Sequence, residues 1–239
     1  MIGAQASSVA MRFPMRFLVR FVCLLMVFGG LAYVHGTTLV DLLLPAFRAE
    51  INWLDDTYRI DRLFVDTEGA DKVVRIVVGL AHCVVLPDGA HCGDPRGMAN
   101  ASTLQANVTL PAALLMAIAL AWPVQRSREY LWRILSVAPA LTLLWALDVP
   151  FILWSALWTL HVDAFAPGMF SPLLIWGDFL QGGGRLALAT LLGVAAVSVP
   201  RVLFRWWMRR QSSRNEPSDA QTAQSVSPEQ RAHQNKRVA

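Results

Sequence analysis

Apolar residues gather in four long runs, at residues 17–34, 108–125, 134–162 and 186–204, and polar residues gather between them. A helix needs about 20 apolar residues to cross a hydrocarbon core of about 30 Å, and each run is close to that length or longer. The pattern predicts an α-helical integral membrane protein with about four transmembrane helices. The first run follows Arg12 and Arg16, has Arg20 just ahead of its continuous apolar part from Phe21, and ends in Ala32-Tyr33-Val34-His35-Gly36, without the small-x-small site that signal peptidase needs. Nor is Cys23 preceded by a lipobox. Residues 17–35 are therefore expected to be a retained signal anchor, with Cys23 as a small buried apolar residue.

Beyond the anchor the period changes. Val40, Leu43, Leu44, Phe47, Ile51 and Leu54 recur at helical spacing, which predicts an amphipathic helix continuing from the anchor and resting on the membrane surface. Two stretches rich in β-forming residues follow at 58–65 and 73–86, separated by the turn-like 66–71, with a second turn at Leu86-Pro87-Asp88-Gly89. A small β-containing segment, built on a hairpin, is thus expected within residues 36–107, between the first two spans. The third run has 29 residues, about 43 Å as one helix, which exceeds the bilayer core. With Pro150 as a kink and Trp154 and Trp158 suited to an interface, the span is placed at 134–153. Residues 154–185 then lie along the outer surface, with a turn at Pro167-Gly168 and Trp176 as an anchor. The fourth span is 186–204, and residues 205–239, rich in Ser, Gln and Pro, are expected to be disordered.

Charge orients these segments. Only 16% of residues are charged, against about 25% in soluble domains, and 55% are apolar, which disfavours an ordinary soluble enzyme. The net charge of +4 is unevenly spread: residues 37–109 carry six bases and ten acids, whereas Arg126, Arg128 and Arg133 follow the second run and Arg201, Arg205, Arg209 and Arg210 close the fourth. Bases in short flanking segments collect on the cytoplasmic side. Residues 1–16, the loop 126–133 and the tail are accordingly expected inside the cell and 36–107 outside. Arg-over-Lys usage suggests a bacterial inner membrane. No nucleic-acid partner is implied, and the expected partners are the bilayer and other membrane proteins.

Few groups offer chemistry. His82-Cys83 and His91-Cys92 flank the Pro87-Asp88-Gly89 turn and carry a zinc-compatible ligand set, but they lack Cys-x2-Cys or His-x3-His spacing, and neighbours in a strand point to opposite faces. A disulfide between Cys83 and Cys92 is the simpler expectation outside the cytoplasm. Its geometry depends on register: a two-residue turn sets Cys83 opposite Cys92, whereas a three-residue loop sets it opposite Gly93. Asp148 lies within an apolar run, where an acid is costly and invites a functional reading, with Arg185 its natural partner. His161, Asp163, Asp178, Gln181 and Arg185 surround Gly182-Gly183-Gly184, and Asp178, Gln181 and Arg185 would share a helix face if the glycines did not interrupt it. Such a set suits an anionic headgroup or a substrate carbonyl, and interfacial polar groups beside a glycine hinge are the simpler alternative. Asn100-Ala101-Ser102 and Asn107-Val108-Thr109 match the glycosylation sequon, which carries no meaning in a bacterial source. Nucleotide-binding, metalloprotease and serine-hydrolase signatures do not occur, and no cofactor or metal is expected.

In layout the chain resembles small exosortase-associated bacterial membrane proteins, through the Arg-flanked anchor at 16–34, the approach Gln105-Ala106-Asn107-Val108-Thr109-Leu110-Pro111 into the second span, and the polar approach 176–185 into the last. Such proteins accompany a multi-span cysteine transpeptidase that sorts surface proteins. The resemblance implies an accessory role in sorting or envelope polysaccharide export and transfers no site residue. The leading expectation is a non-catalytic accessory or scaffold subunit. Its rival is a membrane enzyme or transporter using Asp148, Asp178, Arg185 and His161 at the outer leaflet.

Overall fold

The computed structural model describes residues 4–86, 89–91, 97–123 and 127–199. Helix α1 spans Ala4–Leu54, and strands β1 (Tyr58–Glu68) and β2 (Asp71–Leu80) follow. A short hairpin, β3 (Val84–Leu86) and β4 (Gly89–His91), precedes strand β5 (Met98–Leu104). Helices α2 (Gln105–Ala121), α3 (Ser127–Phe165) and α4 (Pro172–Phe179) come next. A π-helical turn at Leu180–Gly184 leads into α5, residues 185–199. Among the described residues three helical stretches are long and apolar enough to cross a membrane, namely Met15–Leu54, Tyr130–Phe165 and Pro172–Val199, while α2 is a shorter apolar helix.

The helices extend well past the expected spans. α1 is continuous from anchor to amphipathic stretch, but the amphipathic part does not rest on a membrane surface through its apolar stripe: Val40, Phe47 and Ile51 are buried with the sheet. α3 does not stop near 153, and it carries Pro139 and Pro150 inside a helix of 39 residues. The segment expected to lie along the surface at 154–185 is instead the end of α3, the turn at 167–168 and α4. That turn has the anticipated chemistry, since Gly168 adopts φ 85° and Met169 N donates to Ala166 O at 3.1 Å. α2 begins at Gln105 and ends at Ala121, so the second expected span, 108–125, is shifted and shortened. Cys23 is exposed rather than buried. The tail 205–239, Cys92, Pro87 and Asp88 lie outside the described residues.

The sheet has the order β1-β2-β5, all antiparallel. β1 and β2 join at the expected turn, pairing Glu68 with Asp71. Strand β5 was not foreseen. Val74, Ile76 and Val78 of β2 point to one buried face with Ala101 of β5, the alternation expected of a sheet with one covered side. On β1 the buried parity changes: Tyr58 and Ile60 enter the core, then Leu63 and Val65, because a bulge between Ile60 and Arg62 inserts one residue.

Two apolar cores stack along the helices. One joins the second half of α1, the sheet and the second half of α3 through Val40, Phe47, Ile76, Val108, Leu153 and Leu157. The other joins α2, the first half of α3 and α5 through Leu115, Ala119, Val137, Leu144, Ala189 and Val197. Small residues on α2 and α5 let these helices approach closely. Trp145 packs against both cores. At the far end of the second core, Phe17 meets Trp122 edge-on at 5.6 Å, and Ser136 Oγ donates to Ala196 O at 2.7 Å. The start of α1, the end of α2 and the start of α3 therefore lie at one end, opposite the sheet.

α4 is pressed against α3 at Gly177, where an added Cβ would come within 2.5 Å of Ser155 Oγ and 2.9 Å of its Cβ. Gly177→Ala is expected to lower the thermal unfolding midpoint of the detergent-solubilised chain, and Ser155→Gly in the same chain to restore most of the loss. Equal midpoints for wild type and Gly177→Ala would contradict this packing.

Candidate functional site

Asp148 and Arg185 meet at the seam between the two cores. Arg185 Nε stands 2.8 Å from Asp148 Oδ1, with side chains only 8% and 2% exposed. Arg185 Nη2 also donates to Thr103 Oγ1 at 3.4 Å, so α3, the start of α5 and the end of β5 converge on one guanidinium. The pairing follows from the elements. Asp148 lies one turn beyond Leu144 on the inward face of α3, and Arg185 is the first residue after the π-helical turn. Thr103 alternates with Ala101 on the buried face of β5.

The other candidates do not join them. Gly183 adopts φ 104°, a conformation open to glycine and costly for other residues, and it breaks the helical phase that would have aligned Asp178, Gln181 and Arg185. Asp178 and Asp163 are exposed. His161 turns to the sheet, its Nδ1 3.0 Å from the Tyr58 hydroxyl and 3.1 Å from Leu157 O. Burial, and next the charge of Asp55, push the Tyr58 phenol above its ordinary pKa, so it stays protonated. His82 is exposed, with Nδ1 3.0 Å from Asp56 O. Among the described residues no group of three or more His, Cys, Asp or Glu stands close enough to hold a metal ion. The β3–β4 register pairs Leu86 with Gly89 and Val84 with His91, which is the two-residue-turn alternative. Cys92, the expected partner of Cys83, lies outside the described residues.

Beside the ion pair opens a cleft of about 570 Å³ between the β5–α2 junction, α3 and the π-helical turn. Its polar wall is Ser102, Thr103, Asn107, Gln181 and Arg185, and its apolar surface includes Leu110, Ile152, Leu180 and Leu186. Among the described residues Arg185 is the only charged one lining it.

Several structural contacts had no clear sequence signal. Arg133, counted above among the flanking bases, is buried and closes the end of α2 by donating to Trp122 O and, at 2.9 Å, to Pro123 O. Lys72 Nζ donates to Thr37 Oγ1 at 2.7 Å and the Thr37 hydroxyl to Gln105 Oε1 at 3.2 Å, linking β2, α1 and α2. Trp154, expected at a membrane interface, donates to Asp55 Oδ2 at 2.8 Å and ties α3 to the end of α1. Each side chain pairs with a residue far away in sequence, so local pattern could not reveal it.

No protein-family model matches the chain, and no curated protein or solved structure matches it either.

Removing one member of a buried pair strands the other charge, at a cost of about 3 to 5 kcal/mol, whereas replacing both can be nearly neutral. Asp148→Ala and Arg185→Leu should each sharply reduce folded protein in the membrane, and the double variant should recover most of it. Size-exclusion profiles and thermal midpoints read the difference; a double variant as unstable as either single one would contradict a pairwise structural role.

Proposed function

We propose that the chain is a non-catalytic accessory or scaffold subunit of a complex in a bacterial inner membrane, with both termini cytoplasmic and the sheet outside. The observation that carries this reading is the closure of Asp148 and Arg185 on each other at 2.8 Å across the seam of the two cores. A pair so buried and so placed holds helices together, and the remaining polar candidates are dispersed. The rival reading, an enzyme or transporter working through Asp148, Asp178 and Arg185, needs these groups to converge on a substrate. Asp178 lines no part of the cleft beside Arg185, which weighs against it.

The orientation has its support in the bases. Arg16 and Arg20 lie ahead of Phe21 in α1, and Arg128 and Arg133 lie in the first turns of α3. Those positions belong to the end remote from the sheet, as the Phe17–Trp122 contact implies. α2, with 17 residues, is about 26 Å long, so a four-pass arrangement asks the bilayer to thin locally or the helix ends to lie near headgroups. A partner subunit suits the exposed apolar surface of α1, which includes Leu18, Val22, Met26, Leu31 and Val34. The layout resemblance to exosortase-associated proteins makes surface-protein sorting or polysaccharide export the first settings to examine.

Purified gently from its native membrane, the chain should bring down a stable membrane partner and crosslink to it within the lipid phase. A strictly monomeric product that crosslinks to nothing would defeat the accessory reading. The β3–β4 register also supports a Cys83–Cys92 disulfide, since pairing Leu86 with Gly89 is the two-residue-turn alternative that favours the bond. After alkylation of free thiols, the protein should show a reductant-dependent gel shift that Cys83→Ser abolishes, and labelling of both residues without reductant would refute the bond.

A further inference from the structure

The cleft beside Arg185 combines features that point to one class of ligand. Arg185 is nine-tenths buried and yet lines the cavity. Its Nε faces Asp148 and its Nη2 serves Thr103, which leaves the two Nη1 hydrogens without a protein acceptor among the described residues. A guanidinium presents its donors in a planar fork that matches phosphate oxygens. Ser102, Asn107 and Gln181 line the same cleft, and none of their side chains makes a hydrogen bond among the described residues. Their donors and acceptors are therefore free to meet a ligand. The other surface is apolar, and Leu110 and Leu186, each about half exposed, continue from it onto α2 and α5.

We propose that this cleft binds the phosphodiester headgroup of a membrane phospholipid, with Arg185 donating to a phosphate oxygen and an acyl chain running past Leu110 and Leu186. Charge selects the diester. Asp148 already neutralises much of the guanidinium, so a monoanion fits better than a phosphate monoester with its second charge. Shape selects the lipid, because the apolar rim lies on helices of membrane-spanning character and a soluble ester would leave it bare. The inference concerns the isolated chain and stands or falls separately from the accessory-subunit reading, which is tested by co-purification.

The test uses the full chain, stripped of lipid in detergent micelles and titrated with phosphatidylethanolamine under native mass spectrometry, with soluble glycerophosphoethanolamine as competitor. One lipid per chain should be retained, and a hundredfold excess of the soluble headgroup should be needed to displace it. Gln181 is exposed and lies outside the ion pair, so its variants are expected to fold, which circular dichroism checks. Gln181→Trp narrows the cleft and Gln181→Glu, nearly isosteric, sets a negative charge against the phosphate; each should weaken lipid retention about tenfold. Unchanged retention in both folded variants overturns the proposal. So does displacement by an equal concentration of glycerophosphoethanolamine, which would assign the cleft to a soluble phosphodiester.

Discussion

The ion pair between Asp148 and Arg185 is the constraint to which the rest of the structure is fitted. Neither charge is tolerable alone at that depth, since each is removed from water by apolar neighbours on both sides. Their contact fixes the rotation of α3 and the point at which α5 begins, and Thr103 brings in the last turn of β5. One close charge pair thereby sets the register between the bundle core and the sheet core. The break at Gly183 belongs to the same solution. With φ at 104° the chain leaves the phase of α4 and restarts as α5 with Arg185 turned inward, whereas an unbroken helix would have carried Arg185 round with Asp178. The break also opens the cleft, because the π-helical turn stands off from the β5–α2 junction.

A second constraint is the satisfaction of backbone carbonyls near prolines. A proline has no N–H and so leaves the carbonyl four residues earlier without its helical donor, a serious loss in an apolar setting. Pro111 weakens the ladder at Asn107, and the neighbouring Val108 O accepts from Trp145 Nε1 at 3.2 Å. Pro150 does the same at Ala146, and Leu147 O accepts from Trp176 Nε1 at 3.1 Å. The indoles of Trp145 and Trp176 thus act as interhelical clamps on carbonyls beside the prolines. Proline kinks and tryptophan positions are coupled features of one packing scheme.

This coupling explains what could be read from the sequence and what could not. Apolar runs announced the helices, the 66–71 turn announced β1 and β2, and the rarity of intramembrane charge singled out Asp148 with Arg185 as its mate. Those signals are local or follow from a strong energetic penalty. β5 reads Met-Ala-Asn-Ala-Ser-Thr-Leu, with little β-branched or aromatic content, and it is a strand because β2 offers it an open edge while α3 covers its Ala101 side. Pro150 resembles a helix terminus, but Leu153 and Leu157 are fully buried immediately beyond it, and their packing outweighs the lost hydrogen bond. The cap made by Arg133 was hidden for another reason. A basic residue after an apolar run has an ordinary topological explanation, so nothing in the sequence distinguishes a solvated flank from a buried guanidinium.

The unequal helix lengths account for the presence of a sheet at all. α2 has 17 residues while α1 has 51 and α3 has 39, so the two long helices continue past the bundle and leave apolar faces that α2 and α5 cannot cover. The sheet fills that space. Three strands bury too little surface to be stable by themselves, and among the described residues it is helices that cover them. The buried faces of Val74, Ile76 and Val78 meet Phe47 and Ile51 of α1 and Ile152 and Leu157 of α3 within one core. Arg48 donates to Ile60 O at 2.9 Å and Trp154 to Asp55, so the strands are also tied to the helices by polar contacts. The β segment is therefore an extension of the helical framework and depends on it, and any force or partner acting on the sheet acts directly on α1 and α3.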